Sequence, residues 1–239
     1  MKKRPYECEA IVVRSIRYGE ADRVLHLYAR ELGRVAAIAK GVRRGRSRRA
    51  GRLELLVRAR MTLRRGSGEL FTVGQVDTVR AHARLRESRA ALLCGLELGE
   101  TVARLLDAAE PNVAAYNLLG NALDLLDRAP ERAGQAFSLA FRLKLMLAAG
   151  FCPELARCAE CGEEAAVAGF SPASGGIVCE RCASGSLPFG REEHEFAVAA
   201  LTHRLAETPT ASDQALARID RALAAMLERH AHVKLRRVA

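Results

Sequence analysis

From Cys8 to Arg17 the chain is rich in β-branched residues and partly alternates apolar with polar positions, the pattern of a strand with one buried face. Two further runs, Val24 to Ala29 and Arg34 to Ala39, flank Glu31-Leu32-Gly33, where glycine accommodates the positive φ of a hairpin loop. They predict an antiparallel pair. Leu53 to Leu63 alternates most clearly, with Leu53, Leu55, Val57, Ala59, Met61 and Leu63 on one side. Glu54, Leu56, Arg58, Arg60, Thr62 and Arg64 take the other side. Gly66-Ser67-Gly68 turns the chain, and Leu70 to Val79 predicts a fifth strand.

After Ala81 the period lengthens to that of a helix. Ser88 to Asp107, Asn112 to Arg128 and Glu131 to Ala149 predict three helices, the third apolar nearly all round and capped by Gly150. Glu192 to Ala206 and Ser212 to about His230 predict two more. The expected class is therefore α+β: a strand domain over residues 1–80, then a helical domain over residues 81–239.

Charge changes the picture for the first part. Residues 1–65 carry a net charge of +13 and the remainder −3. Lys40, Arg43, Arg44, Arg46, Arg48, Arg49, Arg52, Arg58, Arg60, Arg64 and Arg65 stand against one acid, Glu54, between positions 40 and 65. Such a concentration attracts a polyanion, with counterion release from nucleic acid as the driving term; the alternative is a solvated charge run without a partner. Five short strands fit a small closed barrel of the oligonucleotide-binding (OB) type, and an open five-stranded sheet accommodates the same runs. The basic loop Gly41 to Gly51 favours the barrel, because such barrels bind nucleic acid through faces and projecting loops. It is not a nucleotide-binding P-loop: Gly45 and Gly51 are each followed by Arg, without the Gly-Lys-Ser/Thr ending or a following helix. Trp is absent and aromatics make up 5% of residues, which limits base stacking. Tyr18 either stacks on a base or packs against its own barrel.

The cysteines supply the most specific motif. Cys158 and Cys161 form one C-x-x-C pair and Cys179 and Cys182 a second, a spacing that suits tetrahedral zinc in a module at about residues 150–190. Four thiolates close the coordination shell, so the expected metal is structural. Cys152 is a near fifth thiol and is not expected to be a ligand, while Cys8 and Cys94 are expected to be buried. None of the six histidines stands in a catalytic spacing. No apolar run approaches the roughly 20 residues of a bilayer span, and Lys2 to Arg4 is followed by Pro5 and Glu7 instead of a signal-peptide core. The expectation from these features is a cytosolic protein.

Taken together, Ser15 to Arg23 (S-I-R-Y-G-E-A-D-R), Glu31 to Arg44, Gly150 to Leu155, Cys158 to Gly162 and Phe170 to Cys179 resemble the bacterial RecO recombination-repair family, in the same order along the chain. The resemblance implies an OB barrel followed by a helical domain with a zinc module. It also implies a cytoplasmic, nucleoid-associated, non-enzymatic mediator that binds single- and double-stranded DNA without sequence specificity and anneals complementary strands. Its implied partners are RecR, single-strand-binding protein and, indirectly, RecA, which it helps to load. Two other classes share some of these features. A zinc-containing RNA-binding or ribosome-associated protein has the same basic barrel, whereas a hydrolytic zinc enzyme is disfavoured because no His or Glu completes an open metal site.

Overall fold

The computed structural model describes residues 4–44, 47, 49–66, 68, 70–106 and 110–233. Strands β1 (Tyr6–Tyr18), β2 (Asp22–Ala29), β3 (Gly33–Ala39), β4 (Arg58–Arg65) and β5 (Phe71–Arg80) form a closed barrel in the order β1-β2-β3-β5-β4. The first strand is long enough to serve two neighbours: Tyr6 to Ile11 pairs with β4, and Ala10 to Tyr18 with β2. Every pairing is antiparallel except that of β3 with β5, which is parallel and spans two register pairs, Ala37 with Phe71 and Ile38 with Thr72. Inward positions of all five strands, among them Ala10, Val12, Leu27, Ala37, Met61 and Val76, share one buried core.

The strand expected from Leu53 begins five residues later. Gly51–Leu53 is a 3-10 turn, and Leu56, expected on the outer face, is fully buried with φ +64°. A register irregularity between Val12 and Arg14 interrupts β1, and the chain at Leu56 and Val57 bonds back to it: Leu56 N–H donates to the Val12 carbonyl and Val12 N–H to that of Val57. This directs Leu56 at Gly95, where a Cβ would stand 2.8 Å from its Cδ1. A left-handed leucine costs about 1–2 kcal/mol, and burying its side chain contributes about 1.5–3 kcal/mol in the opposite direction.

The change from strand to helix falls at Arg80, but the compact units divide after Glu131. Helices α1 (Ala83–Glu87), α2 (Arg89–Leu105) and α3 (Val113–Arg128) therefore belong with the barrel. Ser88 caps α2 by accepting from Ala91 N–H, and Asn112 caps α3 by accepting from Ala115 N–H. Helix α3 meets the barrel through Tyr116, whose ring stacks near Tyr28 at 6.5 Å and lies 5.5 Å below the Arg58 guanidinium. Its hydroxyl donates to Glu9 (3.1 Å), the carboxylate that also receives Arg58 Nε at 2.6 Å.

The second unit, from Arg132 onward, contains α4 (Gln135–Ala148), a hairpin of β6 (Gly169–Ser171) and β7 (Gly176–Val178), α5 (Arg191–Thr202) and α6 (Asp213–His230). Phe137, Leu139, Phe141, Leu143, Leu145 and Met146 bury α4 on most sides, and Leu147 alone of its expected apolar set is 53% exposed. Arg142, also buried, is paired with Asp220 at 2.5 Å. Gly150 ends the helix at φ +80° while Phe151 N–H donates to the Met146 carbonyl. Among the described residues, no helix is long and apolar enough to cross a membrane.

The Glu9 cluster yields a test with a defined sign. Burial alone would raise the Glu9 carboxyl, but Arg58, Tyr116 and Arg60 together outweigh it and hold the group below its ordinary value of 4.5. The stability it contributes is therefore present above pH 4.5 and lost as pH falls through the lowered folded value. Glu9→Gln should cost about 1–3 kcal/mol at neutral pH, since Arg58 keeps only a neutral partner. Urea unfolding at pH 7 and pH 3 should show the parent losing that increment on acidification and the variant not.

Candidate nucleic-acid interface and metal centre

The loop from Lys40 to Val57 carries most of the basic run, and its arginines divide by what they touch. Arg49 donates to the carbonyls of Lys40 (2.9 Å), Val73 (3.5 Å) and Gly74 (3.4 Å). Arg52 donates to the Val76 carbonyl at 2.6 Å and pairs with Asp77 at 3.4 Å. Both guanidinium groups thus tie the loop to β5 beyond the two residues at which β3 reaches it. Arg58 is bound in the Glu9 and Tyr116 cluster, where burial opposes its charge but the carboxylate prevails and raises its pKa.

The other basic residues face solvent. Lys40, Arg43, Arg44, Arg60, Arg64 and Arg65 are exposed. Arg43 donates to the Gly19 carbonyl at 3.3 Å, and Arg60 stands 3.8 Å from Glu9. Lys40, Arg44, Arg64 and Arg65 make no side-chain hydrogen bond or ion pair with another described residue. Arg46 and Arg48 lie outside the described residues. The outer face of β4 is less cationic than its alternation implies, because the register sets Arg60 between Glu9 of β1 and Asp77 of β5, and Thr62 beside Glu7.

A second basic cluster escaped the sequence reading because its members are far apart in the chain. Arg14 of β1 pairs with His26 of β2, which pairs with Ala36 of β3, and Arg34 lies beside them on the same outer face. The signal was present in the alternation of the first three strands, but it required their register.

The four expected metal ligands come together. The Sγ atoms of Cys158, Cys161, Cys179 and Cys182 all lie within 4.8 Å of one another, and those of Cys161 and Cys179 are 3.8 Å apart. The edge of a tetrahedron with zinc–sulfur bonds of about 2.3 Å is about 3.8 Å, so the residues fit such an ion. Each pair sits on a tight turn: Gly162 N–H donates to the Cys158 carbonyl, with Gly162 at φ +77°, and Cys182 N–H donates to that of Cys179. The hairpin β6–β7 carries the second pair back to the first, and Ala159 N–H donates to the Ile177 carbonyl. Backbone N–H groups of Cys161 and Cys179 lower the Cys158 thiol to about 6, whereas burial and the neighbouring sulfurs push Cys182 up to about 12. Four sulfurs this close are not all thiolate without a cation among them. Cys152 stands outside the cluster, and Cys8 and Cys94 are buried as expected.

Comparison with known proteins agrees with these observations. The model of the recombination protein O N-terminal domain matches residues 1–82, and that of the C-terminal domain matches residues 86–238. A DNA repair protein RecO of Rubrobacter xylanophilus is 40% identical over 185 residues, covering 77% of this chain and 73% of its own. That of Pelotomaculum thermopropionicum is 39% identical over 180 residues, covering 74% and 68%, and that of Bifidobacterium animalis subsp. lactis is 39% identical over 177 residues, covering 73% and 72%. With an OB-type barrel, a four-cysteine cluster and both domain models matched along its length, the chain belongs to the RecO family of DNA repair proteins.

Proposed function

We propose that this protein is a recombination mediator without catalytic activity of its own, which binds single- and double-stranded DNA irrespective of sequence and anneals complementary strands. It acts in the cytoplasm at the nucleoid, with RecR and single-strand-binding protein as partners and RecA loading as the outcome. The observation that carries this reading is the set of exposed, unpaired cations at Lys40, Arg44, Arg64 and Arg65, with Arg43 and Arg60 beside them, on an OB-type barrel of a DNA repair family. Annealing requires that phosphate repulsion between two strands be neutralised while base edges stay free, and solvent-facing Arg and Lys do this without reading sequence. Arg46 and Arg48, outside the described residues, are further candidates by their place in the sequence alone. Arg49, Arg52 and Arg58 hold the surface that presents it.

The division of labour is testable. With about six to eight phosphate contacts, log affinity for single-stranded DNA should fall against log salt with a slope of about −4 to −6. Replacing Lys40, Arg43 and Arg44 together by Ala should make the slope shallower by about 2, weaken all sequences alike and lower annealing in parallel, with melting unchanged. Arg49→Ala should do the reverse, costing about 1–2 kcal/mol of stability with a smaller effect on the slope. A triple variant that binds and anneals like the parent at moderate salt would leave the loop as a solvated face. Recovery of RecR and single-strand-binding protein on the immobilised parent tests the partners, and annealing of RNA strands tests the ribosome-associated alternative.

Zinc is the proposed ion at Cys158, Cys161, Cys179 and Cys182, where it links the two turns and closes the module. Cys161→Ser should lose about one equivalent of zinc per chain, measured by metal analysis, and loosen the second unit, while the barrel keeps its DNA affinity. A metal-free preparation as stable as the zinc-loaded protein would count against a structural ion.

A further inference from the structure

The outer face of β1, β2 and β3 is a grid set by register. One row holds Arg14, His26 and Ala36; the next holds Ile16, Val24 and Ile38; the third begins with Tyr18 opposite Asp22. Beyond the first row, α2 rises against the sheet and closes a cavity of about 490 Å³ lined by Arg14, His26, Arg34, Glu100 and Arg104. Three arginines meet one carboxylate there. Arg104 takes Glu100 at 2.6 Å and Arg34 donates to the Ala103 carbonyl, while Arg14 is exposed and makes no side-chain bond to another described residue. The local field is positive: burial and then Arg14 and Arg34 hold His26 below its ordinary value, with Glu100 opposing them.

The far end of the grid has the opposite chemistry. Ile16 is 41% exposed and Tyr18 57% exposed, so more than half of Tyr18 is open to solvent, and its ring meets no other aromatic ring among the described residues. Next to Tyr18, Arg43 donates through its backbone to Ala21 and through its side chain to Gly19. Arg14, Ile16 and Tyr18 alternate along one strand, so the distance from the cationic cavity to the tyrosine is about 13 Å. A cationic hollow, an apolar strip, an open aromatic ring and then more cations is the order in which a single strand presents phosphate, base and phosphate.

We infer that this face is a single-stranded DNA site, with a backbone phosphate held at Arg14, His26 and Arg34 and a base stacked on Tyr18, continuing toward Arg43 and Lys40. The inference rests on the DNA-binding reading above and adds to it a contact that duplex DNA cannot make, since paired bases are already stacked. It also gives an annealing protein a means to hold one strand extended while its base edges stay free.

The test uses the full chain, a labelled oligo(dT) strand and a blunt duplex. Tyr18→Ala should lower oligo(dT) affinity by roughly 5- to 100-fold, leave its salt slope unchanged and leave duplex affinity unchanged, whereas Tyr18→Phe should bind like the parent. Arg14→Glu should lower oligo(dT) affinity by about tenfold or more at moderate salt, with a slope shallower by about 1. Tyr18→Ala binding oligo(dT) like the parent, or weakening strand and duplex alike, would overturn the stacking contact. An Arg14→Glu protein with parental affinity and slope would overturn the phosphate contact. If both variants bind normally while the Lys40, Arg43 and Arg44 variant does not, this face is excluded and the DNA-binding reading stands. Failure of the parent itself to bind oligo(dT) would remove both.

Discussion

A five-stranded barrel closes only when its last seam closes, and here that seam is the parallel contact of β3 with β5, two register pairs long. Parallel pairing is also slightly weaker per residue than antiparallel pairing. Arg49 lies across this seam: its guanidinium reaches the Lys40 carbonyl at the end of β3 and the Val73 and Gly74 carbonyls of β5. Arg52 adds the Val76 carbonyl further along. At these half-exposed positions each such bond contributes on the order of 1 kcal/mol, comparable with the ladder bonds that a longer seam would have made. Some of the chain's positive charge thus closes the barrel, and Lys40, Arg43 and Arg44 project from a loop already fastened at two points. Less order has to be imposed on that loop when a polyanion arrives.

This division was not legible in the sequence, and the reason is physical. Alternation tells which side of a strand a residue occupies but not what lies over that side. Arg58 and Arg64 share a face of β4, yet Arg58 meets Glu9 and the ring of Tyr116, 107 residues from Glu9, while Arg64 meets solvent. Leu53 to Val57 misled for a related reason. Leucine and valine alternate there because the chain is buried while turning, with Leu56 aimed at Gly95 of α2, and a turn packed on a helix has the same apolar content as a strand. Features fixed by short-range geometry were read correctly: the hairpin glycine Gly33 at φ +66°, the terminating Gly150, and the two cysteine turns, whose convergence follows from C-x-x-C spacing alone. Among the described residues, five of the seven strands and five of the six α-helices were visible as periodicity; the three-residue strands β6 and β7 and the five-residue α1 are too short to show a period.

The acids are as informative as the bases. Glu7, Glu9 and Asp77 flank the Arg60 position on the outer faces of β1, β4 and β5, so that flank presents a mixed field to solvent. Where β1 runs beside β2 and β3, the nearby acids Asp22 and Glu54 are engaged by the protein: Asp22 accepts from Gly41 N–H at 2.7 Å, and Glu54 of the neighbouring loop takes Arg23 at 3.1 Å. Formal charge counted along the chain therefore overstates one flank of the barrel and understates the other. Over distances of about a Debye length, roughly 8–10 Å at ordinary salt, this local balance and not the net +10 governs what an approaching anion experiences.

The division into two units has a spectroscopic consequence. The chain has no Trp, and its four tyrosines, Tyr6, Tyr18, Tyr28 and Tyr116, all precede residue 132, whereas six of its seven phenylalanines follow it. Tyrosine emission and the tyrosine bands of the near-ultraviolet dichroism therefore come from the barrel unit, with buried Tyr28 and Tyr116 reporting its packing and exposed Tyr18 its surface. The cysteine unit is nearly silent in that window, but thiolate-to-metal absorption would belong to it alone. Each unit thus carries its own intrinsic label, and a melt followed by tyrosine signal describes one half of the molecule, with no single unfolding free energy for the whole implied by it.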